Sequence, residues 1–268
     1  MKRKHWLAIL ALLLAAGATM SARIAQNAGA IGAGYAAKQI CSGVFVARLP
    51  EHFVLNTDVL PRLATVAPLP HLLSYDVDTR QRTVIARMLG QKVRVEHQPT
   101  SGCTLLSEDA LSARSQLETP AHYVYLARRA ADSTLPVSAI NPAIRKALNT
   151  AFAEPPEGGR NTLAVIVMHR GEIVAERYQT PVTINTPMQG WSMNKSLIAT
   201  FIGQQIDRGR LSLDDSVAEA LKTAGAEAFL VSLVSPDLTL GHLLSMTSGF
   251  DFAERYFPGD DVTDMLYR

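Results

Sequence analysis

The run from Thr162 to Tyr178, TLAVIVMHRGEIVAERY, leaves the backbone few choices. Two stretches rich in β-branched residues flank His169-Arg170-Gly171-Glu172, and Gly171 supplies the turn. That pattern predicts a β-hairpin, two antiparallel strands joined by a tight connection. Just before it, NPAIRKALNTAFAE reads as an amphipathic helix. Asn141 stands at the cap, Pro142 at the first helical position, and Ile144, Leu148 and Phe152 share one face. The stretch PPEGGR ends the helix.

After the hairpin, the loop QTPVTINTPMQG leads into GWSMNKSLIATFIGQQ. Leu197, Ile198, Phe201, Ile202 and Ile206 fall at helical spacing, which predicts a helix with one buried face, stopped by Gly209. Ser192 and Lys195 stand three residues apart at its head, so hydroxyl and amine share one side of the first turn. A serine hydroxyl becomes a good nucleophile when a base takes its proton, and a buried, neutral amine can be that base. The unpaired N–H groups and positive dipole end of a helix start favour the oxyanion formed when a carbonyl is attacked. The same two residues also fit a helix cap and a solvated lysine, and the four-residue spacing leaves both readings open.

The order of helix, hairpin, GWSMNKSLIATFIGQQIDRGRLSLDDSV and then LTLGHLLSMTSGFDF resembles the β-lactamase-like serine hydrolases. That family includes class C β-lactamases, penicillin-binding proteins and esterases, with the 6-aminohexanoate-dimer-hydrolase type the nearest in flavour; S-x-x-K is a signature of its members. The resemblance implies an α+β fold, an antiparallel sheet flanked by helices plus a helical region. It implies that Ser192 is acylated, that Lys195 is its base or proton shuttle, and that the Ser192 N–H is one oxyanion donor. It implies a small amide or ester as substrate, with no metal or cofactor, and puts Tyr256 in a loop at the pocket mouth, as a substrate-binding candidate whose alternative is an exposed loop tyrosine. GRLSLDD and LLSMTSG are scaffold landmarks on this view, with Asp214 or Asp215 starting a helix, Thr239 capping the next and Gly249 ending it. No G-x-S-x-G elbow accompanies His169 or His242, so they read as turn and helix-surface residues rather than triad members.

Relatives carry a Tyr-x-Asn-like motif and a Lys-Thr-Gly or His-x-Gly strand beyond the nucleophile helix. Neither follows Ser192 here; the sequence ends DVTDMLYR. The expectation is the N-terminal part of such a domain, lacking its C-terminal strands, with an open sheet edge and little activity alone. The contrasting reading is a catalytically silent envelope protein, for binding or scaffolding, that keeps the fold.

At the other end, Lys2, Arg3 and Lys4 precede an apolar run from Trp6 to Ala16 and a small-x-small site, Ala16-Gly17-Ala18. Residues 1–22 therefore read as a signal peptide or, through 6–22, as an uncleaved inner-membrane tether. The protein is expected to be exported, periplasmic or held at the outer face of the inner membrane. Residues 23–40 read as a linker. Gly32-Ala33-Gly34-Tyr35-Ala36-Ala37 mimics a dinucleotide fingerprint but lacks the strand that must precede one. Residues 41–133 form an extension of unknown role, in which SGVFVARL, TVIARM and QKVRVEH are candidate strands. Pro136 and Pro142 mark the passage to the hydrolase-like part, 134–268.

Cys41 and Cys103 are the only cysteines. In an exported chain they are a disulfide candidate, worth about 4 kcal/mol by loop closure; two separate buried thiols are the alternative. Without C-x-x-C a redox role is weak, and no Cys or His sits at metal-ligand spacing from either. Lys and Arg total 26 and Asp and Glu 24, a net charge of +2 with no basic block past the extreme N-terminus, which argues against nucleic acid as a partner.

Overall fold

The computed structural model describes residues 2–66, 70–99, 101–106, 141–156 and 158–268. They form two compact units, 1–187 together with 253–268, and 188–252. The expected boundary at 133/134 and Pro136 lie outside the described residues.

Helix α1 runs from Lys2 to Cys41. Its sequence is dominated by Ala, Leu and other straight-chain residues and contains no proline, so nothing interrupts the hydrogen-bond ladder. Residues 23–40, expected to be a linker, are the second half of this helix and supply the centre of a hydrophobic core. Ile31, Ala33, Tyr35, Ala36, Ala37, Ile40 and Cys41 are buried there. Small residues allow close approach. A Cβ on Gly29 would lie 2.6 Å from the Met88 carbonyl oxygen, and one on Gly34 would collide with the Tyr267 carbonyl oxygen. The glycines that mimic a nucleotide fingerprint thus serve helix packing.

Four antiparallel strands cover this half of α1: β1 (Ser74–Asp78), β2 (Thr83–Met88), β3 (Gln91–Gln98) and β4 (Gly102–Leu105), in that spatial order. TVIARM and QKVRVEH are strands, as their sequences suggest, and Leu89 and Gly90 turn between them with positive φ. Val84, Ala86, Met88 and Val95 point into the core. SGVFVARL is not a strand. Ser42–Val46 continues helically from α1, because extending a formed helix is cheaper than ending it and pairing a new strand. Short helices α2 (Glu51–Val54) and α3 (Leu60–Val66) follow, and Val54, Val59 and Leu63 complete the core. Cys41 and Cys103 form a disulfide, their Cα atoms 6.0 Å apart, which ties the end of α1 to β4.

Helix α4 (Pro142–Phe152) begins as its sequence dictates: the Asn141 side chain accepts from the Ala143 N–H at 2.8 Å and Pro142 fills the first turn. Leu148 and Ile144 pack against Ala175, Val165 and Val167 of the hairpin formed by β5 (Ala164–His169) and β6 (Glu172–Tyr178). Arg170 and Gly171 make its turn, both with positive φ. Among the described residues no third strand pairs with this hairpin, so both its edges are open. The architecture is α+β.

The last helix, α9 (Asp261–Tyr267), docks on α1. The Tyr35 and Tyr267 rings meet edge to face at 5.4 Å, and Lys38 Nζ donates to the Leu266 carbonyl at 3.3 Å. The C-terminal helix therefore shares a core with α1 and the meander. Burial, with smaller contributions from neighbouring charges, pushes the Tyr267 hydroxyl up to about 12.

The second unit contains α5 (Met193–Asp207), α6 (Val217–Thr223), α7 (Ala228–Ser232) and α8 (Leu240–Leu244). The two landmark segments bind each other: Ser216 and Thr239 form an antiparallel bridge, and the Gly241 N–H donates to the Leu213 carbonyl at 2.8 Å. Thr239 caps α8 in a reciprocal arrangement with His242. Ser216, rather than Asp214 or Asp215, caps α6, and Asp215 instead accepts from the Ser212 N–H. Helix α8 ends at Leu244, before Gly249, with Met246 taking the positive φ first.

Candidate functional site

Ser192 is the residue before the first turn of α5, already in helical conformation at φ −65° and ψ −10°. Its side chain makes no capping bond, which leaves the hydroxyl free for another partner. Lys195 provides it: Nζ donates to Ser192 Oγ at 3.2 Å. The cap reading of Ser192 therefore does not describe what its hydroxyl does. The Ser192 backbone N–H meets no carbonyl partner among the described residues, so a donor remains at the helix start.

The residue just ahead is strained. Trp191 has φ +43°, a left-handed conformation that costs a non-glycine residue roughly 1–2 kcal/mol. Gly190 precedes it, and the Met193 N–H closes a turn onto the Gly190 carbonyl at 2.9 Å. This turn swings the chain so that α5 starts abruptly after Ser192. Nothing in the sequence except Gly190 signalled it.

One expectation fails. Helix α5 was expected to bury one face, yet none of its residues is buried. Met193 is 70% exposed, Leu197 57% and Phe201 56%, and both Ser192 and Lys195 are exposed. The spacing of apolar residues specified a helix correctly, but the protein cover that would desolvate the amine is absent among the described residues.

Tyr256 lies in the other unit, with φ +63°, and its hydroxyl donates to Glu254 Oε1 at 3.3 Å. The loop around it is organised by a residue that sequence reading passed over. The Asp260 carboxylate is only 6% exposed and accepts from the Arg255 N–H, the Phe257 N–H and the Arg255 guanidinium. Burial works to raise its carboxyl, but the Phe257 N–H and the paired Arg255 outweigh it and hold the group below the usual carboxylate range. The Gly-Asp-Asp that ends this loop was the available signal. His242 is occupied in the α8 cap, as a helix-surface residue should be. Among the described residues, no group of three or more His, Cys, Asp or Glu side chains is placed to hold a metal ion.

Comparison with known proteins bears on the C-terminal part of the chain. Residues 145–267 match the family model described as Beta-lactamase. Penicillin-binding protein 4 of Amycolatopsis lactamdurans is 38% identical over 116 residues, which are 41% of this chain and 27% of that protein. The chain thus spans about a quarter of the length of that curated relative. No solved structure matches.

Proposed function

We propose that the β-lactamase-family segment of this chain is the nucleophile-bearing part of a serine hydrolase that cleaves a small amide or ester through an acyl-enzyme on Ser192. The observation that carries this reading is the 3.2 Å contact between Lys195 Nζ and a Ser192 hydroxyl with no capping role. In the proposed reaction Oγ attacks the substrate carbonyl carbon as Lys195, in its neutral form, takes the hydroxyl proton. The carbonyl oxygen gains charge at the start of α5, where the Ser192 N–H and the helix dipole favour it. The carbon–nitrogen or carbon–oxygen bond then breaks, and the leaving group receives the proton from Lys195. Water next attacks the ester carbonyl, passing a proton through the same amine, and frees Ser192.

The exposure of the pair bears on rate. Among the described residues nothing covers the pair to keep water out, so the 268-residue chain is expected to turn over substrate poorly by itself. That exposure also favours the second reading, a silent envelope binding or scaffold protein with the family fold. Export to an oxidising compartment belongs to both readings and is supported by the disulfide and the apolar N-terminal helix.

A covalent probe separates them. The full chain, incubated with a fluorophosphonate or penicillin reagent and digested, should yield an adduct mapped to Ser192 by mass spectrometry, absent from Ser192→Ala. A folded, disulfide-bonded chain that takes no label at Ser192 would leave the scaffold reading.

A further inference from the structure

Helix α1 changes environment along its length without changing conformation. From Gly29 onward it is core; before residue 27 every described side chain is exposed. The exposed part is apolar on all sides: Ile9, Leu10, Leu12, Leu13, Leu14, Met20 and Ile24 are uncovered, with Leu12 at 70% and Ile24 at 61%. A helix with one apolar stripe seeks a protein neighbour, whereas one apolar all round fits hydrocarbon.

Charge sets the limits of that fit. No Asp, Glu, Lys or Arg occurs between Lys4 and Arg23. The intervening residues span about 27 Å at roughly 1.5 Å each, close to the ~30 Å hydrocarbon core of a bilayer. Lys2, Arg3 and Lys4 stand at one end, the arrangement that keeps an N-terminus on the cytoplasmic side, and Arg23 stands at the other. Inside such a span the backbone polar groups must be satisfied within the helix, and a hydroxyl bonded to a helix carbonyl follows the same logic. Thr19 meets this rule, its hydroxyl donating to the Ala16 carbonyl at 2.8 Å, across the bond where a leader would be cut.

We propose that residues 5–22 are a retained span whose partner is a lipid bilayer, and that this span and the core helix of the folded unit are one uninterrupted rod. The core begins at Gly29, about 9 Å past Arg23 at ~1.5 Å per residue, so the β1–β4 meander sits against the outer headgroup layer. The helix that enters the membrane is also the one that holds α9 through Gly34 and the disulfide through Cys41. The inference is independent of the role of Ser192.

Three measurements on the full chain test it. In a bacterial host it should sediment with membranes, resist alkaline carbonate and yield to detergent, with an intact mass that includes residues 1–22. Replacing the small-x-small site, by Ala16→Leu with Ala18→Leu, should leave mass and fractionation unchanged. A mature chain beginning near Thr19, a longer product from that double variant, or a soluble oligomer holding the intact helix would each overturn the proposal. In vesicles of phosphatidylethanolamine and phosphatidylglycerol, amide exchange should be slow without a gap from residue 9 to 41. A rapidly exchanging break between 22 and 29 would overturn the single rod.

Discussion

Gly34→Ala isolates the contact that joins the two ends of the chain. The added Cβ would collide with the Tyr267 carbonyl oxygen, a backbone atom that cannot swing aside as a side-chain tip could. Forcing a methyl into a packed site costs about 1–3 kcal/mol, and the alanine returns up to about 1 kcal/mol through helix propensity. The alternative, undocking α9, forfeits burial of the Tyr267 side chain, worth about 1.5–3 kcal/mol, so strain and undocking lie within reach of each other. A net loss of about 1–2 kcal/mol is expected, raising the population of detached α9 roughly 5- to 30-fold. Trypsin cleavage after Arg255 and amide exchange in α9 read that population directly. Gly203→Ala provides the contrast, since a Cβ there meets nothing within 4 Å and should slow exchange in α5. If Gly34→Ala leaves tryptic cleavage and α9 exchange as slow as in the native chain, the close approach of α9 to α1 is not what holds it.

The remaining expectations concern the disulfide and pH. Replacing Cys41 and Cys103 with serine should lower stability by about 4 kcal/mol, seen as a lower denaturant midpoint with the cut falling on the α1–meander unit. Asp260 has a depressed folded value, so its contribution is present above the ordinary Asp value of about 3.9 and is lost as pH falls through the folded one. Cleavage after Arg255 by an acid-tolerant protease should therefore rise below about pH 4, and Asp260→Asn should flatten that rise. Tyr267 sets an alkaline limit. Its folded value is raised, so its contribution is intact below the ordinary tyrosine value near 10 and disappears as pH rises through about 12. Far-ultraviolet absorbance titration, with Tyr267→Phe as the comparison, checks this.

Local chemistry was legible in the sequence where local chemistry decides structure. The Asn141 cap, the Arg170-Gly171 turn, the Thr239 cap and the strands TVIARM and QKVRVEH all depend on residues a few positions apart. So does the Ser192–Lys195 contact, which needs only one helical turn. The second half of α1 was not legible, because between Ile31, Tyr35 and Ile40 much of its buried surface is Ala and Gly. Such residues are buried by the closeness of other backbones rather than by a stripe of large side chains, and periodicity reports only the stripe. SGVFV misled for a related reason: β-branched composition favours a strand, but a forty-residue helix arriving at Cys41 carries the chain onward helically. The docking of Tyr267 on Gly34 joins residues more than two hundred positions apart and has no local signal.

Among the described residues, the first half of α1 and helix α5 are both exposed and rich in apolar side chains, and their flanks distinguish them. The first half of α1 is charge-free between basic ends, and its Thr19 hydroxyl is bonded inward to the Ala16 carbonyl. Helix α5 carries Asn194, Lys195, Gln204 and Gln205 among its apolar residues and opens on a serine–lysine contact. Those polar groups would be costly in lipid, so the apolar side chains of α5 call for a protein surface instead. On the proposed function the same cover would also close water out from around Ser192 and Lys195. Burial of Phe201 and Leu197 and activation of Ser192 would then be one event, and the exposure of this helix would account for the low turnover expected of the chain.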